Sequence, residues 1–455
     1  MRLIELWIRF FYILVIIIIT ISDMRKQTLL SCFLLLICYY AISQNLKGGG
    51  ESNPDLLTNA ESLQNWQKMR FGMFIHWGPV SLRGTEIGWS RGREIPFEEY
   101  DNLYKNFNPV KFKAAEWVKL IKEAGMKYLI FVSKHHDGFV MWDSETTDYD
   151  IMSTPYNHDV MMDLSRECER QGILFGTYYS ICDWRHPDYP VEQNNPVKRE
   201  DANMEKYIKY MKVQLKELVE KYHTKVLWFD GEWEEPWTHE MGMDLYKYVR
   251  SLDDGIIINN RVDKGRHGME GISLSDKFAG DFATPEQQVG RFDTQTPWES
   301  CITICKQWAW KPDDIMKSKE ESLLTLIKTV GGDGNLLYNV GPMPDGTIEK
   351  RQADRLHEMG DWLNRYGVSI YETRGGPFPP QKWGVTTKKD NLIFLHVLKP
   401  AKKITLKDFD NNVKSIYSLS DDKTVEFSIK GNDVIIKLPD INKDEIDFIL
   451  VMELE

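Results

Sequence analysis

The sequence predicts an α/β fold: a (β/α)8-like TIM barrel followed by a C-terminal antiparallel β-sandwich. Three observations carry that prediction. Across residues 66–374, short and almost wholly apolar runs alternate with amphipathic helical stretches. Strands that are apolar on both faces and separated by helices belong to covered parallel sheets. Seven such runs in one span fit a closed barrel better than an open sheet. After Gly375-Gly376 and the PFPP punctuation, the texture changes to short alternating runs joined by turns, the pattern of an antiparallel sandwich.

In chain order the strand-like runs are GMFIHWG, YLIFVS, LFGTYYS, VLWFDG, GIIINNR, SCITIC and NLLYNVG. Helical stretches such as 112–123, 160–171 and 204–222 separate them, and 348–366 follows the last. Residues 375–455 read as NLIFLHVLK, KITLKDF, VKSIYSL, VEFSIKG, DVIIKLP and DFILVMEL, with a turn at Gly431-Asn432. They hold no obvious chemistry.

Upstream, residues 1–43 carry two apolar runs. The first, 13–21, follows Arg2 and Arg9. The second starts afresh at Met24 with Arg25 and Lys26 and ends in AISQN. A basic start, an apolar middle and small residues at Ala41 and Ser43 describe a secretory signal cleaved near Gln44, with Met24 as the true start. The expected body is exported, to the periplasm or beyond, with no stable membrane span after cleavage. The rival is an anchor formed by the first run. Residues 44–65, with Gly48, Gly49 and Gly50, read as a linker.

A net charge of -11 argues against a nucleic-acid partner, because that affinity rests on clustered Lys and Arg. The 15 Trp residues suit an enzyme that stacks sugar rings. Of six Cys, Cys301 and Cys305 form no CxxC and no second cluster completes a zinc site, so free thiols are preferred to a single disulfide.

In a barrel, chemistry sits where strands end. VLWFDG puts Asp230 at the end of an apolar run, and period-two alternation puts Trp228 on the same face. An indole beside a carboxylate suits an oxocarbenium-like transition state, although a lone DG is also ordinary turn chemistry. VSKHHDGF ends the second run with His135, His136 and Asp137. Adjacent histidines on a regular strand point to opposite faces, so no metal is expected. Hydrogen bonding to sugar hydroxyls fits neutral imidazoles, and His76 at the end of the first run can join them. For an acid/base partner, Asp281, Glu286 and Glu299 all remain open.

FGMFIHWGP, AGMKYLIFVSKHHDGFVMWDS, WFDG and GGDGNLLYNVGPMPDGTI, in that order, resemble the α-L-fucosidases of glycoside hydrolase family 29. The resemblance spans about residues 66–374. It implies a barrel with a β-sandwich, retention of anomeric configuration, and no metal or other cofactor. It implies Asp230 as nucleophile, and His76, His135 and His136 on fucose hydroxyls. Trp89, Tyr178 or Tyr179, and Trp228 would line the pocket, with Glu299 and Trp308 counted among the substrate contacts. The chain departs from the family at WAW (308–310), where many members have Trp-Gly-Tyr, and at EIGWSRGRE around Glu86. TPE at 284–286 resembles a branch in which that glutamate, here Glu286, is the acid/base and α-1,3 and α-1,4 linkages are preferred. The implied partners are fucosylated oligosaccharides or glycoproteins. A transfucosidase and a fucose-binding, non-catalytic protein are the alternatives.

Overall fold

The computed structural model describes residues 56–191, 199–273, 278–399, 401–442 and 444–455. The expected signal region lies outside them, as does most of the expected linker. No helix of the described residues is long and apolar enough to cross a membrane.

All seven predicted runs form strands: β1 (Phe71–Ile75), β2 (Tyr128–Lys134), β3 (Leu174–Ser180), β4 (Val226–Asp230), β5 (Ile257–Ile258), β6 (Glu299–Thr303) and β7 (Asn335–Val340). They pair in parallel in the order β5-β4-β3-β2-β1-β7-β6. The two edges, β5 and β6, are joined by an eighth segment that is not a regular strand. On one side Asp281 N donates to Ile258 O and Asn260 N donates to Phe282 O, at 2.6 and 2.9 Å. On the other, Glu299 N donates to Ala283 O and Cys301 N to Pro285 O, at 2.9 and 3.0 Å. Pro285 has no N–H and Gln287 turns to φ 53°, which breaks the ladder. The sheet is thereby closed into a barrel.

Helices cover the outside for local reasons. Helix α1 (Val160–Gln171) starts at Asp159, whose side chain accepts from Met162 N, and stops at Gly172 in the left-handed region. It turns Val160, Met161, Leu164 and Cys168 inward. Helix α2 (Lys319–Gly331) opens with a Ser318–Glu321 capping box. Trp66, Phe74, Tyr128, Tyr178, Trp228 and Phe282 fill the interior.

C-terminal to the barrel lie a five-stranded and a three-stranded antiparallel sheet. On β8 (Leu392–Val397), Ile393, Leu395 and Val397 face the smaller sheet, whereas Phe394 joins Val385, Ile449 and Val451 against the barrel's outer layer. The joint is polar at one point. Arg70, fully buried, donates to the Thr373 carbonyl and to Asp333 Oδ1, and Asp333 also pairs with Arg374. Cys168, Cys182, Cys301 and Cys305 are buried free thiols.

Candidate active site

A cavity of about 260 Å³ opens where the barrel strands end. Asp230 closes β4, and its carbonyl accepts from Ile181 N at 2.7 Å. The chain then turns through Gly231 at φ 99°, where a Cβ would lie 2.5 Å from Cys182 Sγ, so only glycine fits. Asn259 braces the same end by exchanging two side-chain hydrogen bonds with the Phe229 backbone, at 2.8 and 2.9 Å. That brace stands in for the ladder that two-residue β5 cannot supply, and it delivers Arg261 to the cavity.

Arg261 organises the charges. Its Nη1 lies 2.7 Å from Asp230 Oδ1, and its Nη2 lies 2.8 Å from Glu286 Oε2. Nε donates to Thr284 Oγ1 at 2.9 Å, and the guanidinium covers the Trp228 ring at 4.5 Å. Burial alone would raise the Asp230 carboxyl, but Arg261, His136 and Arg266 outweigh it and hold the group below its ordinary value. Tyr178 donates to Asp230 Oδ2 at 3.0 Å. Glu286 is held from behind, its backbone N–H donating to Met269 O at 2.9 Å. The two carboxylates therefore share one cation and one cavity.

Three imidazoles surround them. His76 pairs through Nδ1 with Asn339 Oδ1 at 2.6 Å, and burial lowers it to about 3. Burial lowers His136 to about 4, although Asp230 pulls the other way; its Nδ1 meets Ser180 Oγ at 2.6 Å. His136 Nε2 stands 3.6 Å from Asp230 Oδ2. Burial, with His136 and His76 nearby, pushes His135 well below its usual value. Its ring lies parallel to Tyr178, and its buried Nδ1 has no partner among the described residues. All three are neutral near pH 7; His76 and His136 spend their Nδ1–H on Asn339 and Ser180, which leaves Nε2 of each to accept from a hydroxyl, whereas His135 keeps both a donor and an acceptor.

The alternation argument fails for the histidine pair. β2 stops at Lys134, and the following turn brings the His135 and His136 rings to 4.2 Å, side by side. Trp89, Trp228 and Trp308 line the cavity as expected, and of the two tyrosines it is Tyr178 that does so. Tyr179 points outward to Gln214 and Lys134, which corrects its inclusion. Glu299 is corrected too. It is the first residue of β6, fully buried, with Tyr128 and the Trp228 Nε1 as partners, so it lies beneath the cavity floor. Asp281 is equally buried and tied to Arg250, Tyr246 and Ile258 N. Glu86 braces a loop, accepting from Trp308 N and Ala309 N at 2.9 and 3.0 Å.

The sequence reading missed Arg261, Arg266, Trp233 and Met269, all of which line the cavity. Arg261 had a usable signal, since GIIINNR ends a barrel strand just as VLWFDG does.

The chain matches the alpha-L-fucosidase family over residues 44–368. It belongs to that family. It is 28% identical to human plasma alpha-L-fucosidase over 424 residues, 84% of this chain and 87% of that one. Among solved structures, alpha-L-fucosidase isoenzyme 1 from Paenibacillus thiaminolyticus is 31% identical with a TM-score of 0.78, covering 87% of this chain and 99% of its own. An alpha-L-fucosidase from Bacteroides thetaiotaomicron, described as a covalent intermediate trapped with 2-fluoro-fucosyl fluoride in a glutamate-to-glutamine mutant, is 26% identical with a TM-score of 0.78. That match covers 88% of this chain and 97% of the other. This alpha-L-fucosidase family member is a glycoside hydrolase whose cavity holds two carboxylates, three neutral imidazoles and an indole-rich wall.

Proposed function

We propose that the protein is a retaining exo-α-L-fucosidase acting by double displacement, with Asp230 as nucleophile and Glu286 as acid/base. The observation that supports this best is the single guanidinium of Arg261 touching both carboxylates, at 2.7 and 2.8 Å. The trapped covalent intermediate of the Bacteroides relative supports it from outside.

The chemistry is set by the charges. Asp230, held low, is the carboxylate that attacks the anomeric carbon. Glu286 gives its proton to the departing glycosidic oxygen, then takes one from the water that hydrolyses the fucosyl ester. In the first state Asp230 carries the negative charge and Glu286 the proton. In the intermediate Asp230 is a neutral ester and Glu286 the carboxylate. Arg261 therefore faces one negative charge in both states, on the Nη1 side first and on the Nη2 side in the intermediate, so the net charge beside it is unchanged. His76, His135 and His136 hold the fucose hydroxyls.

The substrates are terminal α-L-fucosyl glycans. The TPE of 284–286 favours α-1,3 and α-1,4 linkages, and the run from Met24 to Gln44 favours export. Asp230→Gly should lower kcat on an aryl α-L-fucoside by roughly 10⁴-fold. Azide should restore turnover and yield β-fucosyl azide. A variant with near-normal activity, or an α-azide product, would defeat the assignment.

A further inference from the structure

Arg261 joins Asp230 and Glu286 through their carboxylate oxygens. A second connection between the same two residues runs behind them. It starts at Glu232, two residues beyond Asp230 on the loop that leaves β4, and only 2% exposed. Glu232 Oε1 accepts from Arg266 Nε at 2.7 Å, and Arg266 Nη1 donates to the Gly268 carbonyl. Arg266 bridges to Ser273 in antiparallel fashion, and His267 N donates to Ile272 O at 2.8 Å, so residues 266–273 form a closed turn.

That turn supports one edge of the segment that carries Glu286. On the other edge the segment pairs with β6, Cys301 N donating to Pro285 O and Gln287 N to Cys301 O, both at 3.0 Å. Where β5 has ended, the turn takes its place: Thr284 N donates to Gly271 O at 3.1 Å, and Glu286 N to Met269 O at 2.9 Å. The approach is close, since a Cβ on Gly271 would lie 2.0 Å from Thr284 O. Asn260 Nδ2 fixes the base of the turn by donating to Gly271 O at 2.8 Å, whereas Arg266 fixes the end nearer Met269. Glu232 Oε2, meanwhile, is buried and has no partner among the described residues. A buried carboxylate with one oxygen unpaired costs stability, so packing alone does not account for Glu232.

We propose that Glu232 is a positioning residue for the acid/base: acting through Arg266, it fixes the turn that holds the Glu286 backbone, and so sets the reach of that carboxyl toward the glycosidic oxygen. This rests on Glu286 being the acid/base. Glu232 does not line the cavity, and it acts only through its neighbour. Without it, the Arg266 guanidinium is free to turn, and the Gly268 carbonyl loses a fixed donor. A reacting group displaced by about 1 Å loses on the order of 10²-fold in rate.

The test compares a substrate that needs the acid with one that does not. Fluoride leaves α-L-fucosyl fluoride without a proton, whereas a fucosyl disaccharide requires one. Both are compared as kcat/KM, with rates expressed per site able to form an ester with a 2-fluoro-fucosyl fluoride, so that only folded protein is counted. Glu232→Ala should lower kcat/KM on the disaccharide by about 10- to 100-fold and on the fluoride by less than about 3-fold. Glu232→Gln keeps an oxygen for Arg266 Nε and should recover most of the loss. Glu232→Asp draws the carboxylate back by one methylene; it should show the same pattern to a smaller degree, and it serves if the alanine variant does not fold. In an Arg266→Met background, Glu232→Ala should cause no further loss on the disaccharide. Equal losses on the two substrates, no loss on the disaccharide, a glutamine variant as impaired as the alanine one, or a further loss in the Arg266→Met background would each overturn the proposal. Glu286→Gln tests the underlying reading, and should cripple the disaccharide while sparing the fluoride. If it spares the disaccharide, the acid/base assignment has failed. If it behaves as expected and the Glu232 variants do not, only the positioning role has failed.

Discussion

Arg261 decides the electrostatics of the cavity; its place at the end of GIIINNR marks a strand end, but nothing nearby in the sequence announces which carboxylates it meets. Asp230 and Trp228 were legible because period-two alternation is a local rule, and the same rule separates Tyr178 from Tyr179 once the Tyr178↔Trp228 register is known. The partners of Arg261 lie on two different segments that meet only when the barrel closes. Its effect on Asp230 is testable. Burial raises that carboxyl and Arg261 lowers it, with the net below the ordinary value. Arg261→Met removes the lowering, so Asp230 stays protonated to higher pH and fewer nucleophiles are ionised on the acidic side. The acidic limb of kcat/KM for an aryl fucoside should move up by about 1–3 pH units. An unmoved limb would mean that Arg261 does not govern the nucleophile.

At the scale of elements, strands were easier to see than the turns and loops at their ends. All seven apolar runs became strands, yet the eighth barrel segment went unseen because Pro285 and the turn at Gln287 erase its alternation. The His135 and His136 geometry was misjudged for a related reason, since strand rules were applied one residue past the end of β2. Glu86 shows how a loop can be held without a ladder. Its half-buried carboxyl is raised by burial, while N–H donors from Ile87, Trp308 and Ala309 oppose that shift. It holds Trp308, whose ring lies 4.8 Å from that of His76. Glu86→Ala strands those amides and should destabilise the fold by about 2 kcal/mol, measured by urea unfolding. Because Trp308 then shifts within the binding wall, KM for fucosides should rise more than kcat falls. A kcat-dominated loss would place Glu86 in the chemistry instead.

The whole barrel explains the carboxyl that sequence reading put in the wrong place. Tyr128 on β2, Trp228 on β4 and Glu299 on β6 come from alternate strands, as a layer of barrel interior requires. Glu299 completes that layer as a polar member, with Tyr128 Oη and Trp228 Nε1 donating to its two oxygens. Sequence spacing cannot distinguish the first residue of a barrel strand from a loop carboxylate just before it, which is why PWESC looked like a candidate for chemistry. Burial raises Glu299 to about 8, against the smaller opposing effects of Tyr128 and Trp228. The sign of the consequence is fixed. With a folded value above the unfolded one, near 4.3, its contribution is fully present below the unfolded value. That contribution is lost as pH rises through about 8. Glu299→Gln keeps the shape and has no proton to lose. Relative to wild type, it should therefore gain stability by roughly 1.4 kcal/mol per pH unit across the interval from about pH 5 to about pH 8. Urea unfolding of both proteins at several pH values reads this difference directly, and other titrating groups cancel between the two. Cleavage of a fucosyl disaccharide should show no dependence on leaving group beyond that of wild type, because Glu299 touches neither fucose nor the departing oxygen. A stability difference that stays flat with pH would mean that Glu299 is ionised in the folded barrel. A leaving-group effect like that expected of Glu286 would return it to the chemistry.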